Sequence, residues 1–422
     1  MDLIILKVEA ISSFLQLSQE CDNNSNFSAN NSDSGDYQYN VIYNSYQISK
    51  NMRQIPTKSL TLQPSNSGFR SSKLGQIKSQ QQLLRISSKP IVSFPQKPQT
   101  SQTFRPKSFL NSSLAEQIIK ADFVLIGAGA GFSVDSGLKT FRDIAKIPFY
   151  QQQGLTYDDL CDPLWLKRNY LIFYGFWGTC YNAYQTHKPH AGYQNLISFL
   201  QSNSKDFFIY TSNIDGFFTN FVDTEQLYEF HGQLRYWQCS GPCSQILYQL
   251  KNYTFQVNEK MQCSNTNDKS CKYTRIRPNL LELEGTCLPR CCFCEQLLRP
   301  HVLMFEDFSY CDDTNKEDQW KILKKQLKTQ NLLILELGCG LKVPSLRIEF
   351  ERILRTNTQK SVLLRINPSE VGLQQLTKGK DCSRRVFHIK QGGQEYFRQL
   401  QVNENDSIHL DAAVEQVLDD FE

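Results

Sequence analysis

Two cysteine pairs, an asparagine–aspartate pair, one histidine and a glycine-rich turn are the residues of this sequence that could carry chemistry. Cys239-Ser-Gly-Pro-Cys243 and Cys291-Cys-Phe-Cys294 each put two thiols on one tight turn. Two such pairs suit one tetrahedral ion, and Zn2+ favours four thiolates where its role is structural. Four thiolates leave no open position for catalysis, so the expected ion is structural. Cys292 could replace Cys291, and Cys263, Cys271 and Cys287 fall between the pairs. A second site, another pairing or plain buried cysteines therefore stay open. Asn213 and Asp215 follow the apolar run Phe207–Tyr210, at the strand end where open α/β sheets place ligands. An Asn carboxamide both donates and accepts, and Asp215 could accept from an amide. The same residues also serve as ordinary turn and cap chemistry. His231, in Glu229-Phe-His-Gly232, is the side chain best poised for proton transfer near neutral pH. Gly232 would let another backbone or a ligand approach.

The glycine turn lies in Val124-Leu-Ile-Gly-Ala-Gly-Ala-Gly-Phe-Ser-Val-Asp-Ser-Gly-Leu-Lys-Thr-Phe-Arg142. A buried strand, a glycine turn and a helix start bring backbone N–H groups close to a phosphate, where a Cβ would block the approach. Taken alone, the turn is a common feature of nucleotide folds.

These residues need strands and helices to hold them. Apolar runs at Phe123–Ile126, Phe207–Tyr210, Leu332–Leu337 and Ser361–Ile366 sit beside Gly, Asn or Pro, as buried parallel strands do. Between them, Asp162–Tyr184 reads as an aromatic-rich helical region, with Asp162 as cap and Pro163 first in the helix. Gln319–Leu327 and Val343–Leu354 read as further helices. The pattern is α/β: a Rossmann-like, doubly wound parallel sheet with a smaller inserted module of about residues 236–298.

Residues 1–110 are rich in Asn, Ser and Gln, a composition that buries too little apolar surface to offset chain entropy. The formal net charge of +4 conceals an asymmetry: no acid occurs between Asp36 and Glu116, while Lys and Arg recur from Lys50 to Lys107. Such a stretch could touch nucleic acid or another acidic surface, or be a solvated tail. Residues 111–410 form the expected folded domain, and 411–422 an acidic tail or short helix. No run is long enough to span a membrane. Met1–Leu17 is interrupted by Asp2, Lys7 and Glu9, which argues against a secretory signal. Fourteen cysteines in such a chain point to reduced thiols, metal and an intracellular setting, rather than a secreted disulfide scaffold.

In order and kind, these motifs resemble the sirtuins, the NAD-dependent protein deacylases, from about Leu114 to Leu400. The resemblance runs through Gly129-Ala-Gly-Phe-Ser133, Phe141-Arg142, Thr211-Ser-Asn-Ile-Asp215, His231-Gly232, the cysteine pairs, Arg299-Pro-His-Val-Leu-Met-Phe305, Gly338-Cys-Gly340 and Ile366-Asn367. Pro189-His-Ala-Gly-Tyr193 and Thr-Ser-Asn-Ile-Asp resemble a mostly bacterial-type branch. By resemblance, Gly129, Ala130 and Gly131 line the NAD diphosphate, Ser133 also contacts the cofactor, and Phe141 and Arg142 lie on a closing loop. Ser212, Asn213, Ile214 and Asp215 face nicotinamide and its ribose. Gly338, Cys339 and Asn367 face the adenosine half. Cys239, Cys243, Cys291 and Cys294 hold zinc. Val302 and Phe305 lie beside an acyl-lysine peptide, and His231 is the general base, with a pKa near 7 as the suited value. The implied products are nicotinamide, free lysine and O-acyl-ADP-ribose.

The sequence departs from the resembled pattern at Ser212, where Gln is usual, at Lys139-Thr140, where Pro-Asp is usual, at Cys339-Gly340, where Thr-Ser is usual, and at Glu306, where Gly is usual. ADP-ribosyl transfer or NAD hydrolysis is the alternative outcome of the same binding site. A non-catalytic NAD-binding or chromatin-associated module is a further one, against which Asn213, Asp215 and His231 together argue. A hydride-transferring dehydrogenase would explain the glycines but neither the cysteines nor the His-Gly.

Overall fold

The computed structural model describes residues 113–268, 270–359, 361–369 and 385–400. The basic stretch from Lys50 to Lys107, the acidic end from Asp411 and residues 370–384 lie outside them. The strands in chain order are β1 (Phe123–Ala128), β2 (Phe207–Thr211), β3 (Leu227–Glu229), β4 (Gly232–Cys239), β5 (Leu247–Lys251), β6 (Lys272–Arg277), β7 (Leu280–Glu284), β8 (Leu298–Val302), β9 (Leu332–Leu337), β10 (Val362–Ile366) and β11 (Val386–Ile389). Six of them form one sheet in the order β11-β10-β9-β1-β2-β3, paired parallel throughout. Counted from β3, this is the 3-2-1-4-5-6 order of doubly wound dinucleotide-binding sheets, and it reverses between β1 and β9.

The four apolar runs become β1, β2, β9 and β10 because each is buried on both faces. Val124, Ile126, Leu333, Leu335, Val362 and Leu364 enter one core; their neighbours Phe123, Leu125, Leu332, Ile334 and Leu363 enter another. Successive side chains on a strand point to opposite faces, so a continuous apolar run demands helices on both sides. On the first face lie α1 (Leu114–Lys120) and, further on, the helix Ala191–Ser202. On the second lie the helices Thr314–Leu327 and Ser345–Thr356. The glycine turn leads into a short helix, α2 (Ala130–Val134).

The aromatic-rich region is not one helix from Asp162. It is a short helix Trp165–Arg168 followed by α3 (Tyr170–Thr186), broken at Asn169, where φ is −155°. Asn169 Oδ1 accepts from Ile172 N at 3.2 Å and caps α3. Asp162 Oδ1 accepts from Leu164 N at 2.8 Å, ahead of the first helix. The next helix, α4, is Ala191–Ser202. The helix expected from Gln319 begins earlier, at Thr314, where Asp313 caps Lys316 N at 3.1 Å; it is α5 (Thr314–Leu327). The helix expected at Val343–Leu354 is α6 (Ser345–Thr356), which packs under β9 and β10.

The second sheet, β6-β7-β5-β4-β8, shares a core with α3. Trp237 stacks on Phe255 (centroids 5.2 Å) and Tyr174 on Phe255 (5.7 Å). Trp177 and Trp237 are buried, and losing either to Ala would cost about 3–5 kcal/mol. Cys271 and Cys287 are joined as a disulfide, and the Cys263 thiol donates to Asn265 Oδ1 at 3.1 Å. The three intervening cysteines thus form no second metal site, and Cys271 and Cys287, whose roles the sequence left open, are not free thiols. Among the described residues no helix is long and apolar enough to cross a membrane.

Candidate active site at the switch point

The glycine turn and the turn after β9 meet where the strand order reverses. Gly131 N donates to Gly338 O at 2.9 Å, and Gly129 N to Leu337 O at 2.9 Å. A Cβ on Gly131 would stand 2.6 Å from Gly338 O, closer than real Cβ atoms come. Gly338 itself has φ +58°, a left-handed conformation that favours glycine. The sequence assigned these glycines to phosphate approach. The structure gives them a prior task, which is to let two turns close on each other at the crevice. The Cys339 carbonyl is held by Asn367 Nδ2 at 3.1 Å and Arg347 Nη2 at 3.4 Å.

Beside the turn, Ser133 joins α2 to the end of β2. Its hydroxyl donates to Asp215 Oδ2 at 2.5 Å, so its oxygen is left to accept from Asn213 Nδ2 (3.1 Å) and from the Tyr193 hydroxyl (3.2 Å). Asp215 Oδ1 accepts from Phe217 N at 2.9 Å. Burial pushes the Asp215 carboxyl above its ordinary range, and the Ser133 and Phe217 hydrogen bonds work against the rise. Asn213 is 6% exposed, and its Oδ1 has no hydrogen-bond partner. A buried acceptor left unmade is costly, so this atom fits a ligand that brings a donor. Ile214, next to it, is core. Ser212 turns its N (3.2 Å) and its hydroxyl (3.4 Å) to Ala128 O.

His231 follows β3 and leads into β4. Its ring is hydrogen-bonded to the Ser212 backbone, and burial pushes it down to about 4, rather than to the value near 7 the resemblance called for. The imidazole is therefore neutral around neutral pH, ready to accept a proton but less basic than expected. Gly232, at φ +78°, has no room for a Cβ because the His301 carbonyl lies against it. The close approach anticipated there is that of β8. Glu229, two residues earlier, accepts from Gln233 Nε2 at 2.7 Å; burial first, then Asp215, pushes its carboxyl up to about 8.

Beyond β8, Val302 is 4% exposed and packs with Ile214 and Met304, while its carbonyl accepts from Arg299 Nη2 at 2.7 Å. Phe305 is half-buried against Tyr157 (centroids 5.6 Å). Glu306 takes φ +50°, a conformation that glycine, the residue usual there, adopts more easily. Phe141 and Arg142 open a short helix capped by Thr140, which takes Asp143 N at 3.3 Å; their side chains lie outside the description.

The four thiols Cys239, Cys243, Cys291 and Cys294 converge at one corner of the second sheet, all sulfurs within 4.8 Å of one another. Zn–S bonds of about 2.3 Å in a tetrahedron put sulfurs roughly 3.8 Å apart, so the donor set and spacing fit zinc. Cys291, not Cys292, is the fourth partner.

Several residues of this region were not legible in the sequence. His190 Nδ1 accepts from Gly192 N at 3.0 Å, which leaves its Nε2–H for Phe132 O at 2.9 Å, tying α2 to α4. Under the Gly338 turn lies a buried ionic network. Glu336 Oε1 accepts from Arg347 Nη2 (2.7 Å) and Arg365 Nε (3.1 Å), and Arg365 also pairs with Glu351. No sequence rule predicts charges on a central strand.

A crevice at the switch point of a doubly wound sheet, bordered by Asn213, Asp215 and His231, together with a four-thiol corner on the second sheet, defines an α/β nucleotide-using protein with a structural metal centre. Residues 129–345 match the model of the Sir2 family, and the chain belongs to that family. It is 24% identical over 266 residues to the NAD-dependent protein deacylase 2 of Pseudomonas aeruginosa, covering 63% of this chain and 88% of the relative. It is 28% identical over 260 residues to a probable bifunctional ADP-ribose hydrolase/ADP-ribosyltransferase of Fusarium oxysporum, covering 60% of this chain and 41% of that one. Among solved structures, a Sir2 homolog–NAD complex aligns with TM-score 0.44 and 16% identity, over 68% of this chain and 91% of the other.

Proposed function

We propose that this protein is an NAD-dependent protein-lysine deacylase. The observation that carries the reading is the joining of Asn213 and Asp215 through the Ser133 hydroxyl, beside a neutral His231 hydrogen-bonded to the Ser212 backbone. Gly129, Ala130 and Gly131 would hold the diphosphate, Gly338, Cys339 and Asn367 the adenosine half, and Ser133, Ser212, Asn213, Ile214 and Asp215 the nicotinamide side. Phe141 and Arg142 would close over it. When bound, NAD supplies a nicotinamide–ribose bond whose cleavage exposes an electrophilic ribose carbon.

The chain's own residues then do the following. Asn213 Oδ1 offers its vacant acceptor to the ligand's donor, while Ser133 keeps the Asp215 carboxylate aimed. His231, neutral at working pH, accepts a hydroxyl proton. Val302 and Phe305 would border the acyl-lysine peptide. Cys239, Cys243, Cys291 and Cys294 would hold a structural zinc ion, and the thiolates it needs suit an intracellular setting. The basic segment from Lys50 to Lys107 would supply contact with an acidic surface such as nucleic acid; removing it should lower salt-sensitive binding to DNA and leave turnover of a short peptide unchanged.

His231→Ala tests the assignment. Loss of a general base costs about 10²–10⁴-fold in turnover, so deacylation of an acetyl-lysine peptide should fall by that factor. Full activity in the variant would remove His231 as base. A second reading, transfer of ADP-ribose to another acceptor, has one observation in its favour. Ser212 is short where Gln is usual, and its polar atoms face Ala128 O instead of reaching into the crevice.

A further inference from the structure

Tyr248 has no part in the crevice, yet it touches the cysteine corner directly. It lies in β5, fully buried, with its hydroxyl oxygen 3.2 Å from Cys291 Sγ and 3.5 Å from Cys292 Sγ. Cys292 N donates to that oxygen at 3.3 Å. The amide therefore occupies the oxygen as acceptor, and the phenolic proton is free to point at a sulfur. Cys291 is the nearer one and belongs to the four-sulfur cluster; Cys292 is exposed and does not. The x2 spacing of Cys291-Cys-Phe-Cys294 favours Cys291 over Cys292 without saying what holds the favoured sulfur in place.

We propose that Tyr248 is the positioning residue of the metal centre: its O–H donates to the Cys291 thiolate, aims that sulfur at the ion and selects Cys291 over Cys292 as the fourth ligand. The inference rests on the assignment of zinc to the four thiols. A thiolate bound to a metal keeps excess negative charge on sulfur, and a neutral O–H donor offsets it at Cys291, which is buried while Cys243 of the same cluster is exposed. The Cys292 amide on the same phenol oxygen fixes the turn, so that one hydroxyl sets both the direction of Cys291 and the outward position of its neighbour. Groups that orient metal ligands in this way are commonly worth about 10–100-fold in metal affinity.

The test uses the full chain, purified with zinc under reducing conditions, and competition with a chromophoric zinc chelator. Tyr248→Phe removes one oxygen and keeps the ring that packs edge-on to Tyr273 (centroids 6.3 Å). It should bind zinc about 10–100-fold more weakly than the unaltered chain, with the melting temperature at saturating zinc unchanged. Cys292→Ser should hold zinc like the unaltered chain. With cobalt in place of zinc, the thiolate-to-metal absorption should be unchanged in Cys292→Ser and shifted in Tyr248→Phe. Equal zinc affinity in Tyr248→Phe would overturn the role of the hydroxyl. Loss of zinc in Cys292→Ser would overturn the choice of ligand. An unaltered chain that holds no zinc would overturn the metal assignment itself, a failure distinguishable from the other two.

Discussion

The carboxyl end of the parallel sheet and the cysteine corner of the second sheet handle their polar side chains in opposite ways. At the sheet end most polar atoms are paired within the protein. Ser133 serves Asp215, Asn213 and Tyr193 at once, and Arg347 and Arg365 share Glu336. At the corner, Cys239 lies 3.4 Å from Cys294 and Cys243 lies 3.5 Å from Cys291, sulfur against sulfur, and only an ion could use all four. The first region is organised before its ligand arrives; the second is completed by it. A cleft that must cleave a bond gains from fixed dipoles that need no reorganisation, whereas a structural corner only has to be held together.

That contrast breaks most visibly at the corner. Cys291→Ser, or exhaustive chelation, should remove the ion and lower the melting temperature by roughly 10 °C or more, since structural zinc contributes folding energy directly. Trp237, in the core beside the corner, should change its fluorescence first, and Trp320, stacked on Tyr210 at 4.3 Å in the parallel-sheet region, afterwards. Simultaneous loss of both signals would mean that the regions do not differ.

The next effect belongs to the ionic network. Glu336→Ala leaves two buried guanidiniums short of a carboxylate and should cost about 3–5 kcal/mol, measured as a shift of the urea midpoint. A smaller cost, about 1–3 kcal/mol, should follow Gly131→Ala, because its methyl would press on the Gly338 carbonyl. Weakened NAD binding with unchanged zinc content would show that the two turns, not the corner, form the cradle.

The pH predictions are the finest. His231 is pushed down to about 4, so its ring, followed by NMR in the absence of ligand, should stay neutral as pH falls through 6.5 and protonate only towards 4. A midpoint near 6.5 would contradict the burial argument. Glu229 shifts the other way, up to about 8. A raised carboxyl contributes fully below its ordinary 4.5 and loses that contribution as pH rises towards 8. Glu229→Gln, which does not titrate, should therefore gain stability over the unaltered chain between pH 5 and 8.5, read from paired urea midpoints. No pH dependence in the difference would remove the shift.

What the sequence made legible is what short-range spacing encodes. β1 and its glycine turn, the Asn-Ile-Asp turn, His231-Gly232 and the two cysteine pairs each declare their chemistry within a few residues. The doubly wound sheet followed from apolar runs buried on both faces. What stayed hidden depends on distant partners. Ser133 meets Asp215 only because β1 and β2 are neighbours, and Tyr248 reaches Cys291 only through the second sheet. Glu336 and Arg365 sit in strands that apolar patterning alone would predict, where burial of charge is tolerated because each finds the other. The break at Asn169 was masked because aromatic residues continue on both sides of it. The disulfide of Cys271 with Cys287 was not read from the sequence, whose spacing left the roles of these cysteines open.

Incubation of the full chain with NAD, with and without an acetyl-lysine peptide, tests the central claim most directly, with nicotinamide and free lysine counted together. The account predicts nicotinamide release that depends on the peptide and matches the lysine freed one for one. Nicotinamide release that is the same without peptide, or that leaves the acetyl-lysine intact, would contradict it and give the crevice to NAD hydrolysis or ADP-ribosyl transfer.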